Sequence, residues 1–248
     1  MTAPSTLAAR ARRGSETKGR TTDELKAIVQ HVGAELELAP AEDIIEWAVA
    51  TFGERFCVTS SMSDAVLSHV ASRVAPGIDV VFLDTGYHFA ETMGTRDAVA
   101  ATMPVNVVDL KPSLTVAEQD ATHGKDLFAS DPDRCCALRK VQPLAEGLAG
   151  YDAWATGLRR AETHNRVIAP VVGWDEKKQK VKVSPLARWS DEDVEKYIAE
   201  NGILVNPLQY DGYPSIGCWP CTQRVAPGED PRSGRWAGTE KTECGIHQ

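Results

Sequence analysis

Apolar positions along the chain follow two periods, one helical and one typical of strands. Residues 21–37 and 41–52 carry apolar side chains at helical spacing, as at Ile44, Ile45 and Ala48. Shorter β-prone runs at residues 56–59, 78–83, 105–110 and 151–156 predict strands, and the mainly apolar run at 78–83 is typical of a strand covered on both faces. Helical patterns follow the first two runs, through Val70 and to about Ala101.

Strands that alternate with helices predict an α/β fold with a parallel sheet and helices on both of its faces. Ligands of such sheets bind beyond the carboxyl ends of the strands. Three predicted strands end in loops that carry polar groups, at residues 60–64, 84–86 and 157–160. We therefore expect these loops to converge on one crevice.

The last part of the chain contains one more predicted helix and then loses its periodicity. Ser190 and Asp193 have the spacing of a helix N-cap and the acid three residues after it, and three apolar residues follow on one face: Val194, Tyr197 and Ile198. From about Arg224 no period remains. We therefore predict one domain over residues 21–223 and a mobile C-terminal segment over 224–248 that wraps or caps it.

Composition narrows the classes of partner. The 248 residues carry a net charge of −8, which argues against nucleic acid or an anionic membrane as the main partner. No apolar run approaches the roughly 18 residues of a membrane helix. Residues 1–20 are basic, and we predict a disordered tail there rather than a transit peptide. Since no secretory signal is recognisable, we expect a cytoplasmic, reducing location, and a homo-oligomer is compatible with these properties.

The six cysteines say most about the chemistry. Cys57 lies inside a predicted strand, where we expect a buried structural thiol. The other five form an adjacent pair, a Cys-x-x-Cys pair and one thiol near the chain end: Cys135, Cys136, Cys218, Cys221 and Cys244. In a reducing compartment such clusters indicate metal binding or redox chemistry. A Cys-x-x-Cys by itself leaves zinc binding and thioredoxin-like chemistry open.

The adjacent pair favours an iron–sulfur cluster over a single zinc ion. Side chains of neighbouring helical residues diverge by roughly 100°, so Cys135 and Cys136 do not easily share one small tetrahedral ion. A 4Fe-4S cluster presents four separate iron corners, and each thiolate can take its own. Arg139 and Lys140 follow within one helical turn and would offset the negative charge of such a cluster. Structural zinc, or no metal, are the alternatives.

Cys244 has the sequence context of a reactive thiol. It lies in a polar, glycine-containing segment, and Lys241 or His247 would lower its pKa and raise its thiolate fraction. Upstream, Arg232 and Arg235 offer guanidinium groups, which suit bidentate binding of phosphate or sulfate. Simple solvation at the surface is the alternative for these two arginines.

Together these motifs resemble those of the assimilatory adenylylsulfate reductases of the PAPS reductase family. The resemblance runs from Phe56 to the C-terminus and rests on TSSMSDAVL (59–67), FLDTGYHF (82–89), CCALRKVQPL (135–144), ATGLRR (155–160), PLARWSDEDV (185–194), NPLQYDGYPSIGCWPC (206–221), DPRSGRW (230–236) and ECGIH (243–247). ECGIH is the most specific motif for the reductases. The two cysteine pairs mark the branch that bears a cluster and uses adenosine 5′-phosphosulfate.

The fold that the resemblance implies is an adenine-nucleotide α-hydrolase-like (PP-loop-type) domain. Its first loop resembles the S-G-G-x-D-S pyrophosphate loop of ATP pyrophosphatases, but Ser61 and Met62 replace both glycines here. We expect the bulk of Met62 to crowd a pyrophosphate, whereas a phosphosulfate demands less room. This argues against an ATP pyrophosphatase.

The mechanism that the resemblance implies has two steps and belongs to sulfate assimilation and cysteine biosynthesis. The Cys244 thiolate attacks the sulfuryl group, AMP leaves, and a thioredoxin-type dithiol then releases sulfite from the S-sulfocysteine. The substrate would be bound by Lys140, Arg166, Arg232, Arg235 and His247, with Ser60, Ser61, Asp84, Thr85 and Gly86 on the adenosine side. The cluster, held by Cys135, Cys136, Cys218 and Cys221, would act structurally and electrostatically and pass no electrons.

Three other functions remain in view. The same chemistry on the 3′-phosphorylated nucleotide is the nearest, and an adenylating ATP pyrophosphatase is a second. The third is a non-catalytic module that binds zinc or senses redox state.

Overall fold

Six strands form one sheet in the computed structural model, which describes residues 19–237 together with Lys241, Glu243, Gly245 and Ile246. The strands are β1 (Phe56–Thr59), β2 (Ile78–Leu83), β3 (Val105–Leu110), β4 (Ala153–Thr156), β5 (Val172–Asp175) and β6 (Lys180–Val183). Their order is β3-β2-β1-β4-β6-β5, and every pair is parallel except β5 with β6. The predicted α/β fold with a mostly parallel sheet is confirmed.

Helices alternate with the strands and flank the sheet. They are α1 (Thr22–Val32), α2 (Ala41–Phe52), α3 (Val66–Val74), α4 (Ala90–Thr102), α5 (Val116–His123), α6 (Leu127–Ser130), α7 (Pro132–Cys136), α8 (Gln142–Gly147) and α9 (Asp191–Asn201), with a π-helical turn over Ala137–Val141 between α7 and α8. The predicted N-cap of α9 is confirmed, since Ser190 Oγ accepts a hydrogen bond from Asp193 N at 3.1 Å.

Two elements differ from the pattern-based prediction. The helix expected over residues 21–37 ends at Val32, because Gly33, a poor helix former, follows and the chain continues in turns. The hairpin of β5 and β6 has no counterpart in the prediction, since its strands are four residues each and β6 alternates lysine with valine.

Two apolar clusters cover the faces of the sheet. The larger packs α1, α2 and α3 against residues such as Val58 and Val80. The smaller contains Cys57, Trp154 and Leu144, and Ile246 from the C-terminal segment packs against it. Cys57 is fully buried, as predicted, and burial raises the pKa of its thiol well above the ordinary value. It is therefore an inert core residue.

The sheet order places a crevice at its carboxyl edge. From β1 the chain moves to β2 and then β3 on one side of the sheet. It then returns to β4 on the other side of β1 and continues outward, so the direction of the strand order reverses between β1 and β4. Such a reversal opens a crevice beyond the strand ends, where ligands bind in α/β proteins. Among the described residues, no helix is both long and apolar enough to cross a membrane.

The packing of α2 gives a direct test of the larger cluster. Ile45→Ala should lower the free energy of unfolding by about 2–5 kcal/mol, because the Ile45 side chain is fully buried and its loss leaves a cavity. Urea denaturation followed by circular dichroism measures the change. Leu38→Ala is the control, since Leu38 is 75% exposed and its truncation should cost less than about 0.5 kcal/mol. Equal costs for the two variants would contradict this packing.

Candidate active site

The loop after β1 keeps a glycine-like backbone despite its sequence. Met62 has a φ of 58°, in the left-handed region that glycine adopts most easily. Its side chain is fully buried in the larger apolar cluster rather than lying in the open part of the loop. The expectation that the bulk of Met62 would crowd a pyrophosphate is therefore wrong, because this side chain lies in the core. Ser60 Oγ accepts a hydrogen bond from Met62 N at 3.2 Å, and Ser61 is exposed.

The loop after β2 connects the crevice to the cysteines. Asp84 Oδ1 accepts a hydrogen bond from Gly86 N at 3.0 Å, and Gly86 has a φ of 74°. A Cβ on Gly86 would lie 2.9 Å from Arg139 Nη2, so the loop requires glycine there. Thr85, which the sequence assigned to the adenosine side, is buried, and its Oγ1 lies 3.3 Å from Cys218 Sγ.

The arginines after β4 are engaged in ion pairs that hold the fold. Arg159 Nη2 lies 2.7 Å from Asp191 Oδ1, at the start of α9. Arg160 Nη1 lies 2.7 Å from Glu37 Oε1, in the turns that follow α1. These pairs fix the rim of the crevice on the β4 side.

Four cysteines that are distant in sequence line one cavity. Cys135 and Cys136 come from the end of α7, while Cys218 and Cys221 flank a short turn whose Trp219 N donates to Tyr87 O at 2.8 Å. None of the five described cysteines forms a disulfide. In the described part of the chain, no group of three or more His, Cys, Asp or Glu side chains has the geometry to hold a metal ion. The four cysteines thus line one shared space.

The charges around this cavity are positive. Arg139 is buried, and its guanidinium donates to Thr85 O and, at 3.0 Å, to Gln119 Oε1, while its Cζ lies 5.2 Å from the centroid of the Tyr87 ring. Burial, with a smaller contribution from Cys218, raises the pKa of Cys135 to about 11, whereas Arg139 opposes the shift. The protonated thiol is therefore the stable form of Cys135 unless a metal supplies positive charge.

A second cationic group lies next to the C-terminal segment. Arg166 donates to both carboxylate oxygens of Glu243, from Nε at 3.1 Å and from Nη2 at 2.9 Å. Arg232 Nη2 donates to Glu243 Oε1 at 3.1 Å, and Arg166 Nη1 donates to Glu162 Oε2 at 2.5 Å. Arg166 and Arg232, two of the cations predicted for the substrate, thus lie together.

The remaining predicted cations lie on the cysteine side. Lys140 lines the cavity in the π-helical turn, next to Cys136. Arg235 Nη1 donates to Ser215 Oγ and to Ile216 O, both at 3.2 Å, and its Cζ lies 4.5 Å from the Trp236 ring centroid. Cys244 and His247 lie outside the described residues.

Sequence reasoning missed two lysines of the β5–β6 hairpin that face the C-terminal segment. Lys178 Nζ donates to Ile246 O at 3.0 Å and to Asp175 Oδ2 at 2.9 Å. Lys178 and Lys182 both lie over the Trp154 ring, with Nζ at 5.0 and 5.5 Å from its centroid. Burial lowers the pKa of Lys182 to about 8, an effect that Asp175 opposes. The lysine-rich run at residues 177–182 was the available signal.

Comparison with known proteins agrees with this geometry. Residues 55–224 match the phosphoadenosine phosphosulfate reductase domain. The chain is 66% identical to an adenosine 5′-phosphosulfate reductase of Streptomyces coelicolor, over 92% of this chain and 97% of that protein. A second reductase of that name, from Mycolicibacterium smegmatis, is 57% identical over 92% of this chain and 96% of its own.

Solved structures show the same fold. The crystal structure of a phosphoadenylyl-sulfate (PAPS) reductase from Candida auris, a phosphate complex, superposes with a TM-score of 0.67 at 29% identity, over 79% of this chain and 96% of that one. An FMN adenylyltransferase from Candida glabrata shares the fold alone, with a TM-score of 0.53 at 12% identity over 96% of this chain and 85% of its own. From the sheet, the crevice and these matches together, the chain belongs to the phosphoadenosine phosphosulfate reductase family.

Proposed function

We propose that the chain reduces adenosine 5′-phosphosulfate to sulfite and AMP, within sulfate assimilation and cysteine biosynthesis. The observation that carries this is the position of the residues flanking Cys244. Glu243 accepts hydrogen bonds from Arg166 and Arg232. Ile246 packs against the apolar cluster that contains Trp154. The names of the relatives at 66% and 57% identity support the same substrate.

The proposed chemistry is two successive displacements at sulfur. The Cys244 thiolate attacks the sulfuryl sulfur, the bond from sulfur to the bridging phosphate oxygen breaks, and AMP leaves with those electrons. The enzyme then carries an S-sulfocysteine. A thiolate of a thioredoxin-type dithiol attacks Cys244 Sγ, and sulfite departs with the electron pair of the S–S bond. The second thiol of the reductant resolves the mixed disulfide, regenerates the Cys244 thiol and closes a disulfide in the reductant.

Cations are required because a thiolate must approach a sulfur surrounded by anionic oxygens. The chain offers Lys140, Arg232 and Arg235 for this purpose. His247 is proposed for the same role from the sequence. Ser60, Ser61 and the Asp84–Gly86 loop provide hydrogen-bonding groups at the strand ends for the adenosine side.

We further propose that the four clustered cysteines hold a 4Fe-4S cluster. Two features support the fit: the four thiols surround one cavity, and the buried Arg139 guanidinium donates only to neutral oxygens of the described residues. A buried cation without a carboxylate partner favours an anionic group nearby, and a cluster with four thiolates is anionic. When bound, the cluster supplies structural stability and a local electrostatic field. Cys135, Cys136, Cys218 and Cys221 would be its ligands.

Replacement of the nucleophile tests the reaction. Cys244→Ser should lower the release of sulfite and AMP from adenosine 5′-phosphosulfate, with thioredoxin present, by about 10⁴-fold or more, because serine is not ionised at neutral pH. AMP binding by calorimetry should be unchanged. Cys57→Ala, in the core, is the control and should stay active. Substantial turnover by Cys244→Ser would refute the mechanism, and a higher kcat/KM for the 3′-phosphorylated nucleotide would refute the substrate.

Replacement of a cluster ligand tests the metal. Cys218→Ser should remove the broad visible absorbance and most of the iron of the anaerobically purified protein, since one of four ligands is lost. Elemental analysis and absorbance spectra measure both quantities, and Cys57→Ala should retain them. Zinc in place of iron, or no metal in the wild-type protein, would contradict the cluster.

A further inference from the structure

The carboxylate of Glu243 is bound by two arginines, Arg166 and Arg232. It receives three hydrogen bonds from guanidinium groups, two of them in the forked arrangement that arginine forms with carboxylates. The side chains are shielded from solvent, at 12% exposure for Glu243 and 9% for Arg166. Shielding strengthens such a contact relative to an ion pair in open solvent.

The charges in this group are balanced within the chain. Two guanidinium groups, of Arg166 and Arg232, face two carboxylates, of Glu162 and Glu243. Nε, Nη1 and Nη2 of Arg166 all donate to these carboxylates. Arg166 therefore has little free charge for a substrate anion while Glu243 is bound.

The described residues that follow position 244 also contact the domain. Ile246 packs against the apolar cluster that contains Trp154, and its carbonyl accepts from Lys178 Nζ. A Cβ on Gly245 would lie 3.1 Å from Val141 Cγ2, so the backbone there passes close to the π-helical turn. Glu243 precedes Cys244 in the sequence and makes polar contacts, and Ile246 follows it and makes an apolar contact.

We propose that Glu243 is a positioning residue, whose carboxylate holds the C-terminal segment on Arg166 and Arg232 and thereby sets the place of the adjacent thiol. The role in turnover rests on the proposed function, in which Cys244 is the nucleophile. In this proposal Arg166 binds Glu243 of the C-terminal segment instead of the substrate. Arg232 donates to Glu243 through Nη2, and its proposed role toward the substrate is kept.

Alkylation of Cys244 in the full chain without substrate tests the anchoring. Glu243→Gln keeps the size of the side chain but removes the charge that binds the two arginines, which should release the segment. Iodoacetamide should then modify Cys244 about 10-fold faster or more. Mass spectrometry of the peptide that contains Cys244 measures the rate. Glu229→Gln makes the same charge change at an exposed position of the same segment and should leave the rate unchanged. Equal rates for Glu243→Gln and wild type would overturn the proposal.

Steady-state kinetics separate positioning from competition with the substrate. Glu243→Gln should lower kcat about 10- to 100-fold with KM for adenosine 5′-phosphosulfate changed less than about 3-fold, because a misplaced nucleophile costs rate rather than affinity. Glu243→Asp, which keeps the charge, should recover part of the loss. A lower KM at unchanged kcat would overturn positioning, since it would mean that the carboxylate merely blocks the arginines. If the wild type does not reduce this nucleotide, the proposed function fails, and the alkylation result still decides the anchoring.

Discussion

Parallel pairing of β1 with both β2 and β4 is the constraint on which the functional region depends. Val58 pairs with Val80 on one side and with Ala155 on the other, so three strand ends meet at one edge. The backbone continues this alignment beyond the strands, where Ser60 N donates to Val81 O at 3.0 Å. A shift of register by one residue would exchange the faces of Cys57 and Val58 and would disrupt both apolar clusters. The packing of the two apolar clusters therefore fixes the strand register, and the register places the three strand ends at the crevice.

The arginines near this crevice have two different kinds of partner. Arg166 and Arg232 face carboxylates of the chain itself. Arg139 instead meets carbonyl and amide oxygens, and it lines the same cavity as Cys135 and Cys221, whose ionisation is opposed by burial. A buried charge is expensive without a counter-charge. Arg166 and Arg232 find their counter-charges within the folded chain, whereas the position of Arg139 fits a bound anion. Arg166 and Arg232 therefore bind the C-terminal segment, and Arg139 lies at the site of the proposed cluster.

The spacing of residues along the chain predicted those helices and strands that are determined by interactions between neighbouring residues. The spacing of apolar residues gave α2, β1, β2 and β3, and the Ser190 capping box gave the start of α9. The β5–β6 hairpin escaped prediction because its short alternating strands are stabilised by pairing with β4, a contact absent from the local sequence. Met62 shows the same limit: its bulk is visible in the sequence, but its direction depends on a left-handed backbone turn and on the core beneath it.

The sequence by itself determined the α/β architecture, the division of the cysteines into two pairs and one terminal thiol, and the family. These follow from periodicity and from motif spacing, which depend on neighbouring residues. Only the tertiary structure decided which polar groups distant in the chain meet: Arg166 and Glu243 are 77 residues apart, and Thr85 and Cys218 are 133 apart. Such contacts depend on how the chain folds back across the sheet, because electrostatic interactions are set by distance in space and not by separation in sequence.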